Sequence, residues 1–312
     1  MSLFELLVHL FRAGAVLLPT KNFDTHQLTT QDFHFIETLP TVTSERRLPG
    51  FQYVYLDPDR RLTATRSTGH RQLEIAASPQ CSRRALRVAA DVVQRMSEHM
   101  PASMFRDLTR GSVGIFTSAE KLTVYPEMQS LASGDCVTSC LGRCSRTCSF
   151  DGRKYEDMDG LTNSRSVVLD DAVLCARADP HRGALNVLVH EFAHLVYNYA
   201  VTPAVRAQIA SAYDSARRHA TWGLTSYAMA NEREYWAAAT AAFFGVTLED
   251  GASTGGMNRC GAAVCPSVRL ARDHLRARDP ALFDVLTHVL ASNNSSLDPR
   301  IARCPAQSAV GK

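Results

Sequence analysis

Residues 190–194 read His190-Glu191-Phe192-Ala193-His194. Two histidines four residues apart lie one above the other on one face of a helix, so both imidazoles can reach a single ion. Imidazole suits Zn2+, and a catalytic zinc takes three protein ligands and leaves a fourth position for water. Glu191 projects beside the histidines, within reach of that water as a general base. Such a set performs metal-assisted hydrolysis of a peptide bond, with one Zn2+ ion. A third ligand is then expected downstream, and residues 230–244, ANEREYWAAATAAFF, offer Glu232 and Glu234. Glu234 shares its helical face with Ala230, Ala237, Ala238 and Ala241, small side chains that allow close approach to the histidine helix. Glu232 points about 200° away by the 3.6-residue period. Its first-turn position suits the helix dipole instead. Glu234 is the preferred third ligand and Glu232 the alternative.

His190-Glu191-x-x-His194 followed by Glu234-Tyr235-Trp236-Ala237 resembles the gluzincin metallopeptidases, and among them the catalytic domain of anthrax lethal factor and its relatives. The resemblance covers residues 186–244. It implies a zincin-like fold, zinc endopeptidase activity on a peptide or protein substrate, and Glu234 as the third metal ligand. It also implies a tyrosine seven residues before that glutamate, facing the zinc and supporting the transition state; here that residue is Tyr227. Ala238 departs from the family, which often has a second glutamate one turn after the ligand, so the surroundings of the metal must differ. Asp170 and Asp171 are candidates to orient a histidine. Tyr197 and Tyr199 are rival donors, but their place on the histidine helix points to packing.

These residues need elements to hold them. FQYVYL and RQLEIAA within residues 51–77 alternate as strands do, and 112–117, 121–125 and 167–175 read as further strands. Residues 82–99 carry one apolar helical face. From 183 onward five helices are expected, at 184–199, 203–219, 230–244, 266–278 and 281–292, with Pro203 and Pro266 in first turns. Strands followed by helices make an α+β fold, a small mixed sheet and then a mainly helical half carrying the histidine helix. The expected organisation is a leader, linker, signal or pro-segment over 1–50, the peptidase domain over 51–300, and a tail over 301–312.

The chain has 312 residues with 34 basic against 31 acidic side chains, a net charge of +3. That balance argues against nucleic acid, which needs a concentrated basic face. No run of about 18 apolar residues suggests a membrane span. Nine cysteines include Cys136, Cys140, Cys144 and Cys148, spaced every fourth residue within a loop at 134–152. Three equal gaps match a zinc ribbon poorly and a disulfide knot better, which implies an oxidising compartment. An odd count leaves at least one cysteine over. The apolar start of the chain is interrupted by Glu5, His9 and Arg12, so a secreted location is expected without a clear signal peptide. The competing function class is a non-catalytic, secreted, cysteine-rich binding or toxin-like module that retains the zinc site. Nothing in the sequence addresses the oligomeric state.

Overall fold

The alternating residues of the amino-terminal half form strands β1 (Gln52–Leu56), β2 (Leu62–Thr63) and β3 (Leu73–Ala77). They join β4 (Ser112–Phe116), β5 (Gly160–Thr162) and β6 (Arg165–Leu169) in one sheet of order β2-β1-β3-β4-β6-β5. β3, β4 and β6 run parallel, and β2 and β5 are antiparallel edges. The expected small mixed sheet is thus present. The computed structural model describes residues 47–292, 294 and 301–304, all within the unit that runs from Leu39 onward. The expected leader and tail therefore lie outside the described residues, except for 47–50 and 301–304.

Helix α1 (Arg83–Ser97) is capped by Ser82, whose side chain accepts from Ala85 N, and lays its apolar face on β1 and β3. α2 (Ala102–Leu108) and the single turn α3 (Asp170–Val173) follow. The helical half comprises α4 (Val187–Leu195), α5 (Pro203–Arg218), α6 (Glu232–Phe243), the single turn α7 (Gly251–Thr254), α8 (Val268–Arg278) and α9 (Pro280–Ala291). α4 packs across β5 and β6 on one side and against α6 on the other. The core joins sheet and helices in one cluster. The architecture is α+β.

Three expectations are corrected. Residues 121–125 are not a strand: Leu122–Val124 is a 3-10 turn, and Tyr125 is buried with its hydroxyl 2.8 Å from both the N–H and the carbonyl of Ile115. Tyr125 and the buried Arg165 fill the space over Gly114, where a Cβ would come within 2.6 Å of the Tyr125 ring. Arg165 pairs with Glu74 at 3.1 Å and Glu127 at 3.0 Å, which offsets the cost of burying its charge. Residues 167–175 are half strand and half helix, because β6 ends at Leu169 and the Asp170-Asp171 pair favours a helix amino terminus. Pro266 lies ahead of the Ser267 cap rather than in the first turn of α8; Pro203 and Pro280 do occupy first turns.

The cysteines form four disulfides: Cys136–Cys144, Cys140–Cys148, Cys175–Cys304 and Cys260–Cys265. Cys175–Cys304 closes a separation of 129 residues, for which chain entropy gives about 5 kcal/mol. Cys81 is the free thiol; it is buried, and burial pushes its pKa up to about 11. Among the described residues no helix is long and apolar enough to cross a membrane. A thiol titration of the unreduced chain in denaturant should therefore count one thiol, and the native chain should react slowly or not at all. Seven or more reactive thiols would contradict this pairing.

Candidate active site

Helix α4 is started by Asn186, whose side chain accepts from Val189 N at 3.2 Å. Its histidine face looks towards α6, which starts at Asn231. Asn231 Oδ1 accepts from Arg233 N at 2.9 Å and from Glu234 N at 3.0 Å, fixing the first turn that carries Glu234. His190 Nε2 lies 3.2 Å from His194 Nε2 and 3.1 Å from Glu234 Oε2, and His194 Nε2 lies 3.6 Å from the same oxygen. A tetrahedral zinc with bonds of about 2.0–2.1 Å places its ligand atoms about 3.3–3.5 Å apart. The donor chemistry and the spacing both fit a divalent ion. Among the described residues these three form the one His/Cys/Asp/Glu group able to hold a metal.

Electrostatics bind the group together. Burial raises the Glu234 pKa, but His194 and His190 outweigh it and hold the carboxyl well below the usual range. Burial disfavours the His190 cation, yet Glu234 raises its pKa overall. Glu191 is buried beside them, and burial pushes its carboxyl up. Thr162 Oγ1 on β5 sits 2.7 Å from Glu191 Oε2 and 2.9 Å from its carbonyl oxygen, to which Ser166 Oγ also donates at 2.9 Å. Gly160 lets β5 come this close: a Cβ there would meet Val187 Cγ1 at 2.6 Å and Glu191 Cγ at 2.8 Å. Tyr227 opens a 3-10 turn, Tyr227–Met229, just before α6. Burial first, and then the Glu234 charge, push its phenol pKa far up, so it remains a proton donor at neutral pH.

The two aromatic residues after Glu234 have separate jobs. Trp236 Nε1 donates to Ala193 O at 2.9 Å, which ties α6 to α4 between the histidines. The Tyr235 hydroxyl donates to Asp279 at 2.6 Å, a carboxylate that also receives Trp222 Nε1 at 2.9 Å. Glu232 accepts from the Tyr197 hydroxyl, and the ring of Tyr197 lies under the guanidinium groups of Arg206 and Arg233. That arrangement occupies both Tyr197 and Glu232 away from the triad. Tyr199 is buried against Arg110. The expected helix through residue 199 instead widens into a π turn, Val196–Ala200, after His194. Asn198 Nδ2 there donates to Asn163 O, so the turn anchors the β5–β6 hairpin.

Asp170 and Asp171 were expected to orient a histidine. They open α3 instead, and the triad's hydrogen bonds run among its own three members. Sequence reading missed Gly160, Thr162 and Ser166. The signal was Asn163-Ser164-Arg165 between two short β-prone runs, a three-residue connection between the paired Thr162 and Ser166 that lacks the usual glycine. It also missed His181, held 2.9 Å from both Asp159 and Glu249 beside β5. Burial opposes its charge, but the two carboxylates raise its pKa to about 10.

No family model matches the chain, and no curated protein matches it. Among solved structures it is similar to the Pro-Pro endopeptidase of Paenibacillus alvei, with a TM-score of 0.40 and 16% sequence identity over 69% of this chain and 96% of that one. The geometry of His190, His194 and Glu234, rather than this overall likeness, carries the functional reading.

If Glu234 is the ligand, Glu234→Ala loses zinc affinity in equilibrium dialysis. Glu232→Ala keeps the zinc and costs about 1 kcal/mol, the scale of one hydrogen bond. Zinc lost from the Glu232 variant and kept by the Glu234 variant would reverse the assignment.

Proposed function

We propose that the protein is a zincin-like zinc metalloendopeptidase of the gluzincin kind, with Glu191 as general base and Tyr227 as a donor to the transition state. The convergence of two imidazole nitrogens and one carboxylate oxygen at tetrahedral-ligand spacing is the observation that carries this reading. A Zn2+ ion held by His190, His194 and Glu234 would act as a Lewis acid on a water and on the scissile carbonyl. Glu191, next to His190 in sequence and steadied by Thr162, takes a proton from the attacking water. It then returns that proton to the leaving amine nitrogen. The Tyr227 hydroxyl, protonated at neutral pH, donates a hydrogen bond to the developing oxyanion, a contribution of about 2.7–4 kcal/mol in comparable donors. The four disulfides support an extracytoplasmic location.

Glu191→Gln keeps the ligands and removes the base. Zinc content should stay near one per chain, while peptide turnover falls on the order of 10²-fold or more. Undiminished turnover would refute the mechanism, and no turnover in the zinc-loaded parent chain would favour a non-catalytic zinc-binding module.

Tyr227→Phe removes one hydroxyl. It should lower kcat about 10²-fold with zinc content and melting temperature nearly unchanged. A lowered melting temperature with kcat intact would make Tyr227 a packing residue.

A further inference from the structure

The disulfide-knotted segment ends against the candidate proton donor. Phe150 follows Cys148 by two residues, and its ring stacks on Tyr227 with centroids 5.8 Å apart and planes 25° from parallel. Tyr227 opens the 3-10 turn that packs against α6, the helix that carries Glu234. Phe150 is therefore stacked on a residue at the entrance to α6, yet it is 50% exposed. The exposed part of the ring is apolar.

The segment around it is heavily cross-linked, although its regular structure is limited to short 3-10 turns. Cys136–Cys144 and Cys140–Cys148 interleave, each spanning eight residues. Lys154 Nζ donates to Ser139 O at 2.6 Å and to Thr147 Oγ1 at 3.0 Å, and residues 148 and 154 pair as a β-bridge. Phe150 sits inside that bridged turn. A side chain already fixed loses little freedom when a ligand covers it, so an exposed aromatic on such a turn is well suited to binding. Arg153 also meets Tyr227, with its guanidinium carbon 5.8 Å from the ring centroid. Its charge is paired with Asp151 at 2.8 Å.

We infer that Phe150 is a specificity-determining residue whose open face forms a wall of the substrate cleft and selects peptides with a large apolar side chain beside the scissile bond. This rests on the peptidase reading. It assigns to the cysteine knot the task of holding that wall in place.

The test uses the zinc-loaded, unreduced full chain and a proteome-derived peptide library, with cleavage sites read by mass spectrometry. The parent chain should enrich large apolar residues at one position next to the cut. Phe150→Ala should erase that enrichment. On paired fluorogenic peptides differing only at that position, Leu against Ala, it should lower the kcat/KM ratio by about tenfold. Phe150→Trp, which keeps an aromatic face, should retain a preference for large apolar residues. Zinc content and the four disulfides, checked by intact mass, should be the same in all three proteins. Cleavage with a preference that Phe150→Ala keeps in full, or with a preference for charged residues, overturns the inference alone. No cleavage by the parent chain overturns the peptidase reading and the inference with it.

Discussion

A carboxylate buried between two imidazoles is the constraint on which the rest of this structure depends. Glu234 cannot be left charged and unpartnered in the interior, because desolvating an isolated carboxylate is too costly. His190 and His194 meet that need only if α4 and α6 cross with their polar faces together and their backbones close. The alanines around Glu234 allow the approach, and Trp236 reaches the Ala193 carbonyl to lock it. The same three atoms lie 3.1, 3.2 and 3.6 Å apart, close to the separations of about 3.3–3.5 Å that a tetrahedral ion requires. One geometry thus satisfies the buried charges and sets out a candidate metal site.

The sheet serves that geometry from the other side. Its parallel centre supports α4, and its antiparallel edge strand β5 reaches Glu191 through Thr162. Glycine at position 160 is required there, since any side chain would strike the helix. The Asn198 contact from the π turn and the His181 bridge between Asp159 and Glu249 hold the same hairpin at its two ends. Glu191 is consequently fixed relative to the histidines by tertiary contacts, not only by being their neighbour in sequence.

Much of this was legible in the residues. The i, i+4 histidines, the alanine-lined Glu234 and the helical periodicity of the carboxy-terminal half are local signals, and local signals survive into the fold. The strand-then-helix order likewise announced an α+β architecture. What escaped was set by tertiary packing. Tyr125 looked like a strand residue and became a buried cap over Gly114. Residues 160–166 lacked a strong turn signature, so the hairpin that steadies Glu191 went unread. Glu232 does stand in the first turn of α6, but its Tyr197 partner, 35 residues away in the chain, leaves no local signal. The even spacing of four cysteines indicated a knot but could not choose among pairings, which depend on where the backbone folds.

The central claim is that His190, His194 and Glu234 together hold one zinc ion. Crystals of the zinc-loaded chain, measured on both sides of the zinc absorption edge, test it most directly. The account calls for one anomalous peak about 2.0–2.2 Å from His190 Nε2, His194 Nε2 and a Glu234 oxygen. A peak ligated by Glu232 instead, a peak among the cysteines of the knotted loop, or no peak at the triad would contradict it.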